Sequence, residues 1–163
     1  MAGKRGDKIF PHFWYTSEAE EAARFYASIF PESRVDRVVP LPVDSPSGPA
    51  GSVKIVDFTL FGQRFQAITA GPFDPFNHAI SMVVVCEDQA EIDRYWSALL
   101  QGGAAEACGW LKDRYGVSWQ IVPRILDEML GDTDLPRARR VANVMLKMVK
   151  LDVAQLRAAY DGR

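Results

Sequence analysis

The sequence predicts an α+β fold made of two copies of one module, each a strand, a helix and three further strands (βαβββ), followed by a helical C-terminal extension. The first observation behind this prediction is a repeated helix, SEAEEAARFYASIF at 17–30 and EDQAEIDRYWSALL at 87–100. The second is a repeated strand, GQRFQA at 62–67 and GVSWQI at 116–121. Two half-domains of like topology usually share one core and form their cleft where they meet. We therefore expect a single domain over residues 1–163, with its site in that cleft.

Composition and charge disfavour several classes of protein. The chain has 163 residues, of which 48% are apolar and 25% are charged, and this is ordinary for one well-buried domain. Its formal charge of −2 and the absence of a long basic run argue against nucleic acid as a partner, and the short basic patch at 137–140 is interpreted as a solvated helix face. No stretch is apolar enough to span a membrane, and no signal peptide is recognisable. Cys86 and Cys108 form no paired motif, so we expect a reduced, cytoplasmic protein.

The first module is expected over about residues 8–70. An aromatic run at 9–16 predicts a strand, and Ser17 with Glu20 has the spacing of a capping box at the start of the next helix. Pro31 ends that helix. The remaining predicted strands are a short one near 34–39 and, after a loop at 40–51, a hairpin formed by 53–60 and 64–70.

The second module is expected over about residues 79–123. The almost unbroken apolar run AISMVVVC at 79–86 is typical of a buried strand, and Asp88 is positioned to cap the following helix. Gly102 and Gly103 end this helix. Further strands are predicted around 104–112 and 117–123, and the charged turn residues between them, Lys112, Asp113 and Arg114, are expected at the surface.

The extension over residues 125–163 is predicted to be helical. Asp134 and Pro136 are typical of a helix start, and Asp152 can cap a last short helix. Between them runs an apolar stripe that covers either a partner chain or this chain's own sheet, formed by Val141, Val144, Met145 and Met148.

Distinctive motifs occupy three parts of the chain: EEAARFYASIF at 20–30, CGWLKDRYGVSWQIVPRIL at 108–126 and MLKMVKLDVAQLRAAY at 145–160. They resemble the PhnB-like family of the vicinal-oxygen-chelate superfamily, which includes glyoxalase I, extradiol dioxygenases and bleomycin-resistance proteins. The resemblance runs from about residue 8 to the end of the chain. It implies that the two modules form a cupped mixed sheet and that the protein is a homodimer. The family is often labelled 3-demethylubiquinone-9 3-methyltransferase, but no strand is followed by a Gly-rich nucleotide-binding loop, so the residues do not support that activity.

The resemblance also implies where a metal would bind. Metal-using members carry four ligands, commonly two His and two Glu, on the first and fourth strands of the two modules. Here the fourth-strand positions fall on Gln66 and Gln120, and a first-strand position falls on His12. The counterpart of His12 is Met82, or Ser81 if the alignment slips by one. A neutral amide brings no negative charge to a divalent cation, so we expect no metal and no other cofactor.

Aromatic side chains on the predicted cup strands favour a small-molecule site in the absence of a metal. Trp14 and Trp110 are the candidates for ring contacts with a ligand, although each ring could instead fill the core. Phe65 and Trp119 lie on the same strands next to the two glutamines.

Strand alternation places Gln66 and Gln120 on the face opposite Phe65 and Trp119, so only one of the two sets lines the cup. The sequence does not fix which set it is. The amides would orient a polar ligand, or else form a structural pair that satisfies its own donors. We name as candidate ligand-binding residues His12, Trp14, Gln66, Ser81, Trp110 and Gln120.

Two residues are candidates for catalysis. His12 could act as a base or ligand, and Cys108 precedes Gly109 in the family-like block. A nucleophilic cysteine needs a nearby base, and no histidine is close to Cys108 in sequence, so an inert pocket wall is favoured. His78, the other histidine, is interpreted as a loop residue.

Three functions remain open. The leading hypothesis is a metal-free module that binds a small aromatic or planar molecule. The second is an enzyme of the superfamily type, a lyase, an isomerase or a dioxygenase-like enzyme, that uses His12. The third is a homodimeric scaffold whose cup is filled by its own side chains.

Overall fold

A computed structural model of the chain describes residues 8–72 and 74–163. They form two units, one ending at Asp74 and the other beginning at Pro75. Each unit contains one four-stranded sheet. None of the helices in the described part of the chain is long and apolar enough to cross a membrane.

The first unit has the predicted βαβββ order. Its sheet order is β1-β4-β3-β2, in which β1 runs parallel to β4 and the other neighbours are antiparallel. The predicted hairpin is confirmed, because Phe61 and Gly62 alone connect its strands, with the two positive φ angles (48° and 74°) that match the twist of a hairpin. The elements are β1 (His12–Tyr15), α1 (Ala19–Ile29), β2 (Arg34–Pro40), β3 (Lys54–Leu60) and β4 (Gln63–Thr69).

The start of α1 differs from the prediction. Glu18, not Ser17, is the N-cap residue, and its side chain makes no capping hydrogen bond. Thr69 at the end of β4 takes over part of this role, since its Oγ1 accepts a hydrogen bond from the Ala19 amide at 3.2 Å. Glu20 pairs instead with side chains of Arg24 and Lys54. The predicted capping box was therefore wrong, and the hydrogen bond from the Ala19 amide to Thr69 replaces it.

The helix α1 covers one face of the first sheet. Its small residues Ala19, Ala22 and Ala23 are buried and let the helix approach the sheet closely. Beneath it lies an aromatic layer in which the Phe58 and Phe65 rings stack at a centroid distance of 5.4 Å. Because side chains alternate along a strand, the neighbours of these rings point to the opposite face of the sheet. No helix within residues 8–72 covers this face, which we call the open face.

The second unit repeats the order, with β5 (Met82–Cys86), α2 (Gln89–Leu99), β6 (Ala104–Ala105), β7 (Trp110–Lys112) and β8 (Ser118–Pro123). Its sheet order is β5-β8-β7-β6, and β5 is parallel to β8. The single strand expected at 104–112 is in fact two, since the chain reverses at Cys108 and Gly109, whose φ angles are 58° and 81°. The Asp88 cap is confirmed, because its carboxylate accepts a hydrogen bond from the Glu91 amide at 2.9 Å.

Strand β5 is buried on one face only. Val84 and Cys86 are buried beneath α2, whereas Val83 and Val85 are 54% and 44% exposed on the open face of the second sheet. A continuous apolar run does not distinguish a strand buried on both faces from one with an apolar open face. The predicted full burial was therefore wrong.

Three helices complete the second unit: α3 (Ile125–Leu130), α4 (Leu135–Met145) and α5 (Val153–Asp161). The predicted caps are confirmed, since Asp134 and Asp152 accept hydrogen bonds from backbone amides in the first turns of α4 and α5. The apolar stripe joins a cluster inside this unit, to which Val144 and Met145 contribute partly buried side chains. The buried members are Leu126, Val141, Met148, Leu151 and Leu156.

The basic patch at 137–140 is only partly a solvated face. Arg140 turns inward and donates hydrogen bonds to the carbonyl oxygens of Ala159 and Tyr160 at 2.8 and 2.9 Å. These carbonyls lie in the last turn of α5, where a cation offsets the negative end of the helix dipole. Arg137 and Arg139 remain exposed, as predicted.

Candidate functional site

One row of four polar side chains crosses the whole first sheet, with one residue from each strand. His12 of β1 is paired in register with Gln66 of β4, Gln66 with Asp57 of β3, and Asp57 with Arg37 of β2. Residues paired directly across neighbouring strands point to the same face, so all four side chains lie on the open face. We call this set the polar row.

Hydrogen bonds connect the polar row from end to end. The His12 Nδ1 lies 2.9 Å from the Gln66 Oε1, and the Gln66 Nε2 donates to the Asp57 Oδ1 at 2.8 Å. Arg37 donates to the other oxygen of Asp57 from Nε at 3.1 Å and from Nη2 at 2.8 Å. Arg64, from a neighbouring row, adds a contact to the Asp57 Oδ1 at 3.3 Å. The carboxylate of Asp57 is therefore the centre of the network.

The network keeps Asp57 ionised. Its side chain is buried, with 8% of the residue exposed, and burial alone would raise the pKa of this carboxyl. The hydrogen bonds donated by Gln66, Arg37 and Arg64, together with the positive charge of Arg37, outweigh burial and lower the pKa below its ordinary value. Asp57 is a residue that the sequence reasoning missed. The available signal was an acidic residue in the middle of the largely apolar strand sequence VKIVDFTL.

An apolar row lies beside the polar row on the same face. It runs from Trp14 of β1 through Ile68 and Ile55 to Val39 of β2. The indole of Trp14 is half-buried and donates from Nε1 to the Gly71 carbonyl at 3.2 Å. The open face therefore offers an apolar surface next to hydrogen-bonding groups, which is the usual composition of a small-molecule site.

The second sheet carries a different row on its open face. Gln120 of β8 is paired in register with Val83 of β5 and with Trp110 of β7. Its amide Nε2 donates to the Ser81 hydroxyl at 2.8 Å. The structure thus brings together three of the predicted site residues, Ser81, Trp110 and Gln120, on one face of this unit.

A histidine–carboxylate pair accompanies Trp110. The His78 Nε2 lies 2.8 Å from the Glu106 Oε2, and the His78 ring is 6.0 Å from the Trp110 ring, centroid to centroid. The prediction that His78 lies in a loop is confirmed, but its partner was missed. The two residues are 28 positions apart, and no local motif connects them.

The structure decides which side chains occupy the open faces. Phe65 and Trp119 are 6% and 3% exposed and belong to the cores beneath α1 and α2, so Gln66 and Gln120 lie on the open faces. Alternation predicted that the two sets lie on opposite faces, and the structure decides which set is on which face. His12, Trp14, Ser81 and Trp110 lie on the same open faces as these glutamines. Phe65 and Trp119, the alternative set, therefore do not lie on the open faces.

Asp113 corrects another prediction. It is buried, with 3% exposure, whereas the sequence suggested a surface charge. Its Oδ2 accepts a hydrogen bond from the Trp119 indole at 2.8 Å, and its Oδ1 accepts from the backbone amides of Tyr115 and Val117. This carboxylate therefore holds the β7–β8 turn to the core.

Cys108 is the second candidate for catalysis. It occupies the tight turn before β7, and its amide donates to the Met148 carbonyl at 2.8 Å. Neither histidine forms a hydrogen bond with its sulfur within the described ranges. The other thiol, Cys86, is fully buried, and burial raises its pKa to about 12, so it is inert in the folded protein.

The donor set does not fit the metal centre of the superfamily. The register makes Val83, not Met82 or Ser81, the counterpart of His12, because each is paired with the glutamine of its unit. Valine has no donor atom, and the Gln66 amide is already held between His12 and Asp57. Across residues 8–72 and 74–163, no group of three or more His, Cys, Asp or Glu side chains is placed to hold a metal ion.

Comparison with solved structures identifies the class of protein. The PhnB protein of Bacillus cereus, which carries the 3-demethylubiquinone-9 3-methyltransferase label, is 32% identical over 71% of this chain and 98% of that chain, with a TM-score of 0.62. A protein from Pseudomonas aeruginosa is 20% identical over 71% of this chain and 96% of that chain, with a TM-score of 0.54. A fosfomycin resistance protein from Mesorhizobium loti is 14% identical over 76% and 96%, with a TM-score of 0.55. The fold is thus that of the glyoxalase/bleomycin-resistance-like proteins.

The family within this class follows from the sequence. Residues 7–122 match the model of the family described as 3-demethylubiquinone-9 3-methyltransferase. The chain therefore belongs to this PhnB-like family, as its motifs predicted. Comparison with curated proteins finds no match.

Proposed function

We propose that the protein binds a small planar molecule without a bound metal, and that the open face of the first sheet is its main contact surface. One observation carries this proposal: the exposed imidazole of His12 and the half-buried amide of Gln66 are fixed by a buried carboxylate at 2.8 Å from that amide. A polar group held in one orientation on an accessible face is suited to recognise a ligand. A network that served stability alone would not need to end at an exposed ring.

The surrounding residues support a ligand with an aromatic or planar body. Trp14 lies two residues from His12 on the same strand and the same face, so a ring that lies on Trp14 can place a polar group at His12. In the second unit, taken by itself, we propose Ser81, Trp110 and Gln120 on the open face of the sheet as ligand-binding residues. The name of the Mesorhizobium loti protein, which refers to fosfomycin resistance, associates a small molecule with the same fold.

An enzyme of the superfamily type is the second candidate function. The observation that favours it is the contact of the His12 Nδ1 with a fixed acceptor, because bases in acid–base catalysis are oriented in the same way. In that case Gln66 and Asp57 would orient the base. We do not propose methyl transfer, since the chain has no Gly-rich nucleotide-binding loop after a strand.

We also propose that the protein is a cytoplasmic homodimer. Two thiols without a disulfide are in keeping with a reducing compartment. Leu135, the first residue of α4, and Leu146, its C-cap residue, are 68% and 63% exposed and provide an apolar surface for a second copy. Sedimentation equilibrium of the wild type and of Leu146→Glu tests the dimer, and a concentration-independent monomer in both would contradict it.

Tryptophan fluorescence tests ligand binding directly. We expect a library of planar aromatic compounds to include one that changes the emission of the wild type in a saturable way. Trp14→Phe should remove most of this change, whereas Trp96→Phe, a substitution in the buried face of α2, should leave it in place. No saturable response from any compound, or an equal loss in both variants, would contradict the proposal.

Elemental analysis of protein purified without chelators tests the proposal that the protein holds no bound metal. We expect less than stoichiometric divalent metal. One metal ion per chain, lost together with ligand binding after dialysis against a chelator, would favour the enzyme with His12 as a ligand.

A further inference from the structure

The orientation of the Gln66 amide is determined by the charge state of Asp57. An ionised carboxylate accepts hydrogen bonds and donates none. Asp57 is ionised because two arginines and an amide donate to it. If the Gln66 amide were rotated by half a turn, its oxygen would lie against the Asp57 Oδ1 at about the observed 2.8 Å, and two acceptors would face each other. The nitrogen of the amide must therefore face Asp57.

The amide orientation in turn determines the proton position on His12. With its nitrogen on Asp57, Gln66 presents only its Oε1 to the imidazole, 2.9 Å from Nδ1. An amide oxygen cannot donate, so Nδ1 must carry the proton. In neutral imidazole one nitrogen is protonated and the other has a lone pair, so this lone pair is on Nε2.

We infer that Asp57 is a positioning residue that, acting through Gln66, fixes neutral His12 in the Nδ1–H tautomer, so that Nε2 presents a lone pair to a ligand with an O–H or N–H donor. The ligand part of this inference rests on the function proposed above. The tautomer part does not, because it concerns the protein without a ligand.

The position of His12 narrows the class of ligand. Its Nε2 makes no hydrogen bond to the described residues, and the residue is exposed. Trp14, on the same face, provides an apolar surface for a ring. A phenol or another aromatic ring with an acidic O–H or N–H can make both contacts, since its ring lies on the indole of Trp14 while its donor reaches Nε2 of His12. A methyl ether of the same ring can make the ring contact but has no donor for Nε2.

Nitrogen-15 NMR of the histidine ring reads the tautomer. The chain contains two histidines, so the variant His78→Gln leaves His12 as the single signal, while the new amide can still donate to Glu106. At a pH where the ring is neutral we expect protonated Nδ1 and unprotonated Nε2. A ring with protonated Nε2 in this background would overturn the inference.

Two further variants test the roles of Gln66 and Asp57. Gln66→Leu removes the acceptor but keeps the pairs of Asp57 with Arg37 and Arg64, and Asp57→Asn lets the Gln66 amide rotate. Both should shift the ring toward the Nε2–H tautomer by a readily measured fraction. Gln120→Leu, the matched change in the second unit, should leave the signal unchanged. An unchanged tautomer in Gln66→Leu would show that the amide does not set it.

Calorimetric titration of 2-naphthol and of 2-methoxynaphthalene tests the ligand class. We expect the naphthol to bind at least about tenfold more tightly, which corresponds to one hydrogen bond of about 1.4 kcal/mol. Equal affinity would overturn the proposed donor while leaving ligand binding itself in place. If neither compound bound, the proposed function would lose support, and the NMR result would still decide the role of Asp57.

Discussion

The two units share one topology but use their buried carboxylates for different purposes. In the first unit Asp57 lies in the middle of the sheet and its hydrogen bonds extend through Gln66 to an exposed histidine. In the second unit Asp113 lies at a turn and its hydrogen bonds end on backbone amides and the buried indole of Trp119. The first carboxylate orders side chains on an exposed face, and the second holds a turn to the core. Duplication of a module therefore preserves the framework and leaves each copy free to change its polar contacts.

The two glutamines show the same difference on a smaller scale. Gln66 is held by a charged group, and Gln120 by the neutral hydroxyl of Ser81. A hydroxyl both donates and accepts, so it does not force one orientation of the amide. The open face of the first sheet is thus the more rigidly organised of the two.

The largest expected effect is on the turn of the second unit. Asp113→Ala removes an acceptor shared by two backbone amides and the Trp119 indole, and the hydrogen bonds from Val117 and Trp119 are buried. We expect the free energy of unfolding to fall by about 3 kcal/mol. Urea denaturation followed by circular dichroism measures it. If the loss of stability were smaller than that of Asp57→Ala, Asp57 and not Asp113 would be the carboxylate that contributes more to the stability of the fold.

A smaller loss of stability is expected from Asp57→Ala. Arg37 retains much of its hydration because its side chain is 66% exposed, so we expect a loss of about 2 kcal/mol. Asp36→Ala is the matched control on the neighbouring strand, where the carboxylate pairs with Arg34 and accepts from Thr59, and its loss should be about half as large or less. Equal losses of stability would mean that Asp57 contributes no more to the fold than Asp36 does.

The pH dependence of stability should also identify Asp57. Its pKa in the folded protein is below the unfolded value, so its contribution is fully present above the unfolded pKa and is lost as the pH falls through the folded pKa. We expect the stability difference between wild type and Asp57→Asn to be constant above about pH 5 and to shrink below about pH 4. A difference that grew in acid would contradict an ionised Asp57. Denaturation curves at a series of pH values provide the measurement.

Ligand affinity should respond unequally to the two glutamines. With any compound found by fluorescence, Gln66→Leu should weaken binding about tenfold, because it removes the group that orients His12. Gln120→Leu should weaken binding about threefold or less, because its amide is held by the neutral hydroxyl of Ser81 and not by a charged group. A larger loss of affinity in Gln120→Leu than in Gln66→Leu would indicate that the second sheet provides the main contact surface.

The smallest effect is expected for Arg37→Ala. The lost ion pair is largely solvated on the arginine side, and Arg64 and Gln66 continue to donate to Asp57. We expect a loss of stability of about 0.5 kcal/mol and no change in the His12 tautomer. A shift of the tautomer would show that Arg37 also helps to orient the amide.

Much of the fold was predictable because its signals are local. The repeated helices, the caps at Asp88, Asp134 and Asp152, and the hairpin across Phe61 and Gly62 depend on residues a few positions apart. The capping box at Ser17 failed for the opposite reason. Its place is taken by Thr69, 50 positions from the Ala19 amide that it accepts from.

The candidate site was predicted in part. Alternation along β4 and β8 was enough to separate the glutamines from Phe65 and Trp119, because side-chain direction in a strand has a period of two. The counterpart of His12 was misplaced by one residue, since a helix and a strand need not share the same offset in two copies. In a strand, an error of one residue assigns a side chain to the wrong face of the sheet.

By itself, then, the sequence determined the two βαβββ modules, the family and the residue types available on each strand. Only the tertiary structure decided that His12, Gln66 and Asp57 form one hydrogen-bonded row, because sheet register joins residues from separate strands. It also decided which carboxylates are buried. Burial and hydrogen-bond partners depend on the packing of distant segments. The acidic residue in VKIVDFTL could mark Asp57 as unusual, but neither this pattern nor the residues around Asp113 specify the partners of the carboxylate.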